Sequence, residues 1–464
     1  MTDAAPFPCD FSTTNFNTTT HYYSLSVPAK TTGSLMKILK PSNYLLGLPK
    51  MKNVYPHPTD TARRMLVLNT VCEDPERMDP TQLPAVVQPL LSPEEEEDGT
   101  NLACHPITTT YLHCTLPTIL KHLLPTHLHD EIPSSFETVG TLAHVNLRDE
   151  YLPYKLIIGR VIMDKNPSLK KVVNKIDVIS TQFRTFPMEC IGGKDNGDYE
   201  CEVKEGGYKF KLDFSKVYWN SRLQYEHRRL AEVIGKVDHG GSHKKSGVAK
   251  KGAQEGVVAA DVMAGIGPFA VPLGVMGVKV LANDLNPHSY KYLDVNVKMN
   301  KCESKVESSC LDGREFVHKL TDEGTVVSDV IMNLPATAVE FLDAFRGWNV
   351  GVCRPMVHVY CFVKCESMDA SDAKGRILPR VESALGCGLA EAEVKVHIVR
   401  DVAPKKPMCC VSFRLPEEVA GLERVKLEDY VEGVKIGSVP WEGTGAEEEA
   451  AGQGEEQPSK KQKV

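Results

Sequence analysis

The stretch DVMAGIGPFAVPLG, residues 261–274, decides how the rest of this 464-residue chain is read. An apolar run over 257–260 enters a turn with two glycines, Ala264-Gly265-Ile266-Gly267, and a second apolar run, VKVLAN, ends at Asp284. That order predicts strand, nucleotide loop, helix, strand and acidic tip. A doubly wound α/β sheet holds an adenosine-containing ligand this way. Glycines let backbone approach the ligand, and the acid at the second strand's end accepts hydrogen bonds from ribose hydroxyls. The candidate contacts are Asp261, Ala264, Gly265, Gly267 and Pro268 in the loop, with Asp284, Leu285 and Asn286 at the tip.

Downstream, strands and helices alternate. A helix is predicted over 287–300, a strand ending at Leu311 and Asp312, a helix over 314–320, the strand VSDVIMNLP and the helix AVEFLDAF. The strand MVHVYCFVK, a helix over 371–385 and the strands VKVHIVRDV and MCCVSFRLP complete the set. Seven strands with the last two as a hairpin fit the sheet of the class I methyltransferases better than the six parallel strands of a dehydrogenase. Asp312 and Gly313 end the third strand, where an adenine amine can be met; Asp312 serves equally well as a helix N-cap. Asn333 and Pro335 of NLP end the fourth strand, where the asparagine faces the crevice and the proline stiffens the turn. A strand-ending turn without a catalytic role is the alternative.

Upstream, residues 1–30 are polar without a sustained period and are expected to fray or drape over the surface. Short apolar bursts over 34–72 suggest a small α+β module ending in a strand, and 113–124 reads as a helix with Leu116, Leu120, Leu123 and Leu124 on one face. FETVGTLAHVNL, YKLIIGRVIM, KIDVISTQF and KFKLDF read as strands. The helix SRLQYEHRRLAEVIG follows, with Leu223, Leu230, Val233 and Ile234 as its buried face and Asn220 or Ser221 as caps. Arg222, Glu226 and Arg229 stand at i, i+4 and i+7 on it: either a surface ion-pair ladder, or a base, Glu226, tuned by flanking cations. Arg184 carries the same ambiguity. Tyr218 and Trp219, just before the helix, are read as core packing ahead of base stacking.

These segments give a division into 1–125 with an acidic loop at 92–101, an α+β segment over 130–215, the Rossmann-like domain over 216–440 with a glycine-rich basic insertion at 235–256, and a disordered tail over 441–464. The fold class is α/β, a seven-stranded class I domain preceded by two smaller α+β domains. Composition, 42% hydrophobic and 25% charged, is that of a globular chain. No run approaches the roughly 18 apolar residues of a membrane span, so no membrane association is expected. A secretory signal layout is missing, and residues 11–50 are rich in Ser and Thr but hold no Arg, a weak match to mitochondrial targeting. The 14 cysteines contain no CxxC pair, which predicts reduced thiols and no metal site, with Cys409 and Cys410 half-buried on a strand. The net charge of -7 hides a basic middle: residues 155–251 hold 20 Lys or Arg against 12 Asp or Glu. Such a patch suits nucleic acid, or equally a solvated basic surface.

Five segments together, DVMAGIGPFAVP, NDLNPHSYKYLDVN, MNLPATAVEFLDAF, YWNSRLQYEHRRL and VRDVAPKKPMCCVSF, resemble the eukaryotic and archaeal tRNA (guanine-N1)-methyltransferases that modify position 37 beside the anticodon. HVNLRDEYLPYKLIIGRVI and PSLKKVVNKID fit as well, so the resemblance covers roughly residues 30–420. It implies S-adenosylmethionine as methyl donor, tRNA with G at position 37 as substrate, a monomer, and three domains of which the first grips the outer corner of the tRNA. It further implies Glu226 as general base on guanine N1, Arg184 steadying charge on O6, Asn333 as the NLP asparagine, and Tyr218, Arg222 and His227 near the substrate. This sequence departs at Tyr225, where Thr is frequent, and at His227, where archaeal members have Arg. The related enzyme that moves the cofactor's aminocarboxypropyl group in wybutosine synthesis is the alternative. Cytosolic location is expected, with nuclear and mitochondrial populations open.

Overall fold

The computed structural model describes residues 10–92, 99–176, 183, 185–235, 258–367 and 369–426. Two compact units emerge: Met1–Ser135 with Leu147–Ser168 and Ile191–Gly193, and Phe136–Asn146 with Leu169–Cys190 and Lys194–Val464.

The first unit is built on β1 (Thr18–Pro28), β2 (Val54–Pro56), β3 (Arg63–Val71) and β4 (Asn101–Thr109), an antiparallel sheet ordered β2-β3-β1-β4. β1 therefore lies inside the sheet, where a frayed segment was expected. Its outer half, Thr18 to Thr20, hides the signal because it is mostly exposed, whereas Tyr23, Leu25 and Val27 are buried with Leu39, Leu66 and Leu68. Leu39 ends α1 (Thr32–Leu39), and α2 (Leu116–Leu123) is capped by Thr115. YKLIIGRVIM is a helix, α3 (Lys155–Lys165), and not a strand. Besides Gly159, its buried residues are Ile157, Ile158, Val161 and Ile162, apolar side chains whose spacing of one, three and one follows the 3.6-residue helical period.

The second unit carries β5 (Glu137–Val139), β6 (Leu142–Val145), β7 (Lys171–Lys175) and, up to Cys190, β8 (Met188–Gly193) in one sheet, and β9 (Glu200–Glu205) paired with β10 (Tyr208–Asp213) in a hairpin. A 3-10 turn at Ser221–Leu223 leads into α4 (Gln224–Gly235). Leu230 and Ile234 are buried on α4 as expected, but Val233 is 53% exposed and is not part of its inner face.

The large sheet of this unit comprises β11 (Val258–Asp261), β12 (Lys279–Asn283), β13 (Val306–Ser309), β14 (Asp329–Met332), β15 (Met356–Phe362), β16 (Lys395–Ala403) and β17 (Lys406–Arg414). Its order is β13-β12-β11-β14-β15-β17-β16; the first five run parallel, and β17 inserts antiparallel between β15 and β16. The helices are α5 (Ala270–Met276), α6 (Pro287–Met299), α7 (Gly313–Asp322) and α8 (Ala370–Leu385). AVEFLDAF winds as a 3-10 helix, Ala338–Phe345, and not as the expected α-helix. Because strand side chains alternate between faces, Ala259, Val280, Ile331 and Tyr360 enter one core while Ala260, Leu281, Val330 and Val359 enter the other. Cys409 and Cys410 go one to each core and are fully buried, not half-buried as expected. β11 lies between β12 and β14, so the chain reverses its strand order at β11's C-terminal end, where sheets of this kind bind ligands. Among the described residues, no helix is long and apolar enough to cross a membrane.

Candidate active site

After β11 the backbone turns at Gly265 (φ 57°) and Gly267 (φ 97°), left-handed conformations that glycine adopts readily. A Cβ on Gly267 would lie 2.8 Å from Leu293 Cδ1, so this position also requires the close approach of α6. Asp284 fastens the loop: its Oδ2 accepts from the Gly265 N–H at 2.8 Å and its Oδ1 from the Asn286 N–H at 2.9 Å. Burial pushes the Asp284 carboxyl above its ordinary range, against the pull of those two backbone donors. Asn286 in turn caps α6 through the His288 N–H and donates from Nδ2 to the Lys216 carbonyl at 2.7 Å.

Asn283, which sequence reasoning passed over, stitches the strand ends together. Its Nδ2 donates to the carbonyls of Val262 and Leu311, and its Oδ1 accepts from Ser309 Oγ and the Leu311 N–H. The signal that was available is an asparagine at the last position of an otherwise apolar strand, VKVLAN. Asp312 does serve as a helix cap, accepting from the Arg314 N–H at 2.9 Å. Asp261 is fully buried, and among the described residues neither of its oxygens has a hydrogen-bond partner of ordinary geometry. Burial, with the Asp284 charge adding, pushes its carboxyl well above the usual range. The buried Asn333 Oδ1 also lacks a partner among the described residues.

α4 supplies the other side. Asn220 caps the 3-10 turn by accepting from the Arg222 N–H. Because residues 221–223 wind as 3-10 and not α, Arg222 leaves the ladder expected with Glu226 and pairs with Glu137 on β5. Glu226, 3% exposed, is gripped by Arg229 on both oxygens (Nε to Oε2 and Nη2 to Oε1, each 2.6 Å). Oε1 also accepts from the Tyr360 hydroxyl at 2.7 Å, and His397 Nε2 lies 3.4 Å from Oε2. Burial, first of all, holds the Tyr360 phenol well above its ordinary value, so it remains a donor. His227, the next residue, has its Nδ1 2.6 Å from Oε1 of the buried Glu205 and its ring edge-on to Phe269.

A cleft of about 270 Å³ joins these two sides. Ala264, Gly265, Pro268, Asp284, Leu285 and Asn286 line one end together with Asp312, Gly313, Asn333 and Pro335. Tyr218, Arg222 and His227 line the other. Tyr218 is 40% exposed, whereas Trp219 both lines the cleft and packs on Phe210 in the core. Asp261, Gly267 and Glu226 stand behind the wall and do not line it. Arg184 lies outside the described residues, as do most of the 235–256 insertion, Glu94 to Asp98 and the tail over 441–464. The wall also contains Glu137, His144, Lys175, Phe186 and Arg400, none of which stood out in the sequence. They come from four strands and a loop far apart in the chain; His144, Lys175 and Arg400 lie in segments that carry the resemblance, but none was singled out there as a site residue.

The site suits a nucleoside cofactor bearing an amino group. Gly265, with no atom within 4 Å of where a Cβ would stand, leaves the loop open on that side. The unpartnered Asn333 Oδ1 in the wall offers an acceptor for an amine.

The chain matches the TRM5/TYW2 methyltransferase domain over residues 201–371 and the TYW2 N-terminal domain over 116–196. It is 46% identical over 431 residues to "tRNA (guanine(37)-N(1))-methyltransferase 1" of Phaeodactylum tricornutum, covering 90% of this chain and 91% of that one. The tRNA (guanine(37)-N(1))-methyltransferase of Phytophthora infestans is 42% identical over 417 residues, 88% of this chain and 92% of the relative. In fold, the chain is similar to Trm5b of Pyrococcus abyssi (TM-score 0.54, 24% identity, 85% of this chain and 99% of that one). It is likewise similar to aTrm5 solved in complex with tRNALeu (TM-score 0.56, 21% identity, with the same coverage). With a seven-stranded sheet, a glycine loop tied to a strand-end acid and this level of identity over nine-tenths of its length, the chain belongs to the tRNA (guanine(37)-N(1))-methyltransferase family.

Proposed function

We propose that the chain transfers a methyl group from S-adenosylmethionine to N1 of guanosine 37 in tRNA. One observation carries the reading: a single cleft runs from the loop of β11 and the acids ending β12 and β13 to the aromatic and cationic residues before α4. The donor end and the acceptor end would thus share one cleft, as direct transfer between two bound nucleosides requires.

When bound, S-adenosylmethionine supplies an electrophilic methyl group. The protein's part is to hold the donor and prepare the acceptor. On the donor side, Ala264, Gly265, Pro268, Leu285, Asn286, Gly313 and Pro335 would form the walls, Asp284 and Asp312 the polar contacts, and Asn333 Oδ1 the acceptor for an amine. Asp261, behind the loop, would act on the donor through that loop, and Gly267 by allowing its packing on α6.

Guanine N1 keeps its proton at neutral pH, so transfer needs a base near N1 and a donor near O6. Glu226 is the base the resemblance implies. Its carboxylate is already satisfied by Arg229 and Tyr360, so accepting the N1 proton means exchanging one of these for guanine. Because Glu226 stands behind the cleft wall, its carboxylate would have to turn into the cleft as Arg229, whose side chain is 24% exposed, gives way, while Tyr360 is fully buried. As the N1–H bond breaks and an O–H bond forms on Glu226, the N1 lone pair takes the methyl group. Arg184 at O6 and Tyr218 beside the flipped base complete the proposal on the strength of the resemblance. We also take the enzyme to act as a monomer in the cytosol.

Nucleoside analysis of unmodified tRNA carrying G at position 37, incubated with protein and S-adenosylmethionine, tests the reading. 1-Methylguanosine is the expected product, and its absence refutes the proposal. Cofactor labelled separately in the methyl and aminocarboxypropyl groups separates this reaction from the wybutosine-type transfer.

A further inference from the structure

We propose that Lys175, Arg222 and Arg400 form an anion site at the acceptor end of the cleft, built to hold a backbone phosphate of the nucleotide being methylated. The inference rests on the proposed function and adds a partner group to the same site.

The three cations come from separate elements, the last residue of β7, the turn before α4 and the middle of β16, yet all line one cleft. Among the described lining residues near them, Glu137 is the carboxylate that faces them. It pairs with Arg222 and lies 3.8 Å from His144 Nε2. Three positive charges against Glu137 and, off the wall, Asp401, whose charge also acts on Arg400, leave an excess of one, because His144 adds none: burial, followed by the charges of Lys175 and Arg222, drives its pKa down to about 3. Burial also lowers the pKa of Lys175, with Arg222 adding to the effect and Glu137 opposing it. For Arg400 the pull is likewise downward, from burial and then from Arg222. Like charges gathered where water is thinned repel one another, and a bound anion removes that cost.

The backbone is shaped to bring them together. Between β16 and β17 the pairing passes from Ile398↔Cys409 to Arg400↔Met408, which makes Val399 an extra residue, and it slips again between Asp401 and Ala403. Such bulges re-aim side chains and recur beside active sites. Here Arg400, Val402 and Met408, all at the disturbed part of the hairpin, reach the cleft wall. Arg400 Nε donates to the Asp401 carbonyl at 3.2 Å, which sets the guanidinium plane. The Lys175 ammonium lies 4.0 Å from the centre of the Phe186 ring, an aromatic seat that holds the charge in place without neutralising it. A phosphate suits such a fork of donors better than an uncharged base edge does. In a flipped loop nucleotide the phosphate is the fixed neighbour of the base.

The test uses the full-length protein, unmodified G37 tRNA and S-adenosylmethionine, with Arg400→Gln, Lys175→Gln and Arg400→Lys as variants. Wild-type methylation of G37 is checked first; its failure would strike the proposed function, whereas the results below concern the anion site alone. For Arg400→Gln the tRNA Kd should rise about tenfold at 0.1 M salt. The slope of log K against log salt should become shallower by about 0.7, one single-strand phosphate contact. Cofactor Kd should stay within about twofold, and Arg400→Lys should recover the slope. Unfolding curves recorded in parallel identify any variant that loses tRNA binding by misfolding, and Lys175→Gln then gives the independent reading. An unchanged salt slope in both Gln variants overturns the proposal. So does a loss confined to cofactor affinity, which would assign the cluster to the cofactor's carboxylate.

Discussion

Replacing Asn283 should cost more stability than any other single change at the strand ends that carry the site. Its side chain is fully buried and makes four hydrogen bonds of 2.9 to 3.1 Å, linking the end of β12 to Val262 beyond β11 and to Ser309 and Leu311 at the end of β13. At about 1 kcal/mol per bond, Asn283→Ala loses up to about 4 kcal/mol, and a half-buried Leu311 N–H left without its partner puts the total at roughly 3–5 kcal/mol. At about 2 °C per kcal/mol for a large domain, the melting temperature should fall by about 6–10 °C. Asn283→Asp should be worse than Ala. It keeps the two bonds to Oδ1 but places a second carboxylate oxygen against the Val262 and Leu311 carbonyls, where only a donor fits. Scanning calorimetry with and without S-adenosylmethionine reads both effects, and cofactor affinity should fall with stability because Asp312 follows Leu311 directly. A melting temperature within 2 °C of wild type for Ala, or Asp milder than Ala, would refute the reasoning.

Three further outcomes are expected. Asp284→Asn keeps one oxygen acceptor and turns an amide toward a backbone N–H, losing one charge-assisted bond, so calorimetric titration should show cofactor affinity about 10- to 100-fold weaker; an unchanged Kd removes Asp284 from the site. The Asp261 pKa is raised in the folded state, so its stabilising contribution is full below the ordinary carboxyl value near 4 and is lost as pH rises through the folded value. The melting temperature of Asp261→Asn relative to wild type should therefore climb between pH 4 and 7, and a flat difference would show that Asp261 does not titrate as its burial requires. Glu226→Gln should reduce the single-turnover methylation rate about 10²-fold or more while leaving cofactor affinity unchanged; a wild-type rate would remove it as base.

The glycine-loop side of the cleft was legible because it is local. The glycine turn, the strand-end acid and the NLP turn each occupy a few consecutive residues, and the parallel sheet brings them to one edge. The acceptor side was not. Glu137, Lys175 and Arg400 are 38 and 225 residues apart along the chain, and the side chain of Arg400 reaches the wall where two register shifts interrupt β16. Hydrophobic runs also misled at two places. In α3 an unbroken apolar stretch was read as a strand, although its buried residues recur with a helical period. In β1 the polar outer half masked a strand that is flanked by β3 and β4. The ladder of Arg222, Glu226 and Arg229 was right for Arg229 and wrong for Arg222, because a 3-10 turn precedes α4 and changes the angle between successive side chains.

In the proposed binding mode the cleft is divided electrically along its length. Asp284 and Asp312 would line the donor end, and Lys175, Arg222 and Arg400 would outnumber Glu137 at the acceptor end. A donor that carries a sulfonium charge is favoured where the acids are, and a nucleotide that carries a phosphate is favoured where the cations are. Methyl transfer removes the sulfonium charge and leaves the phosphate untouched, so the attraction weakens at the donor end alone. Added salt acts in the opposite sense, screening the acceptor end, where the cleft would meet the multiply charged tRNA, more than the half-buried acids. Raising the salt should therefore speed release of methylated tRNA more than release of the demethylated cofactor. At low salt the tRNA should become the slower product to leave.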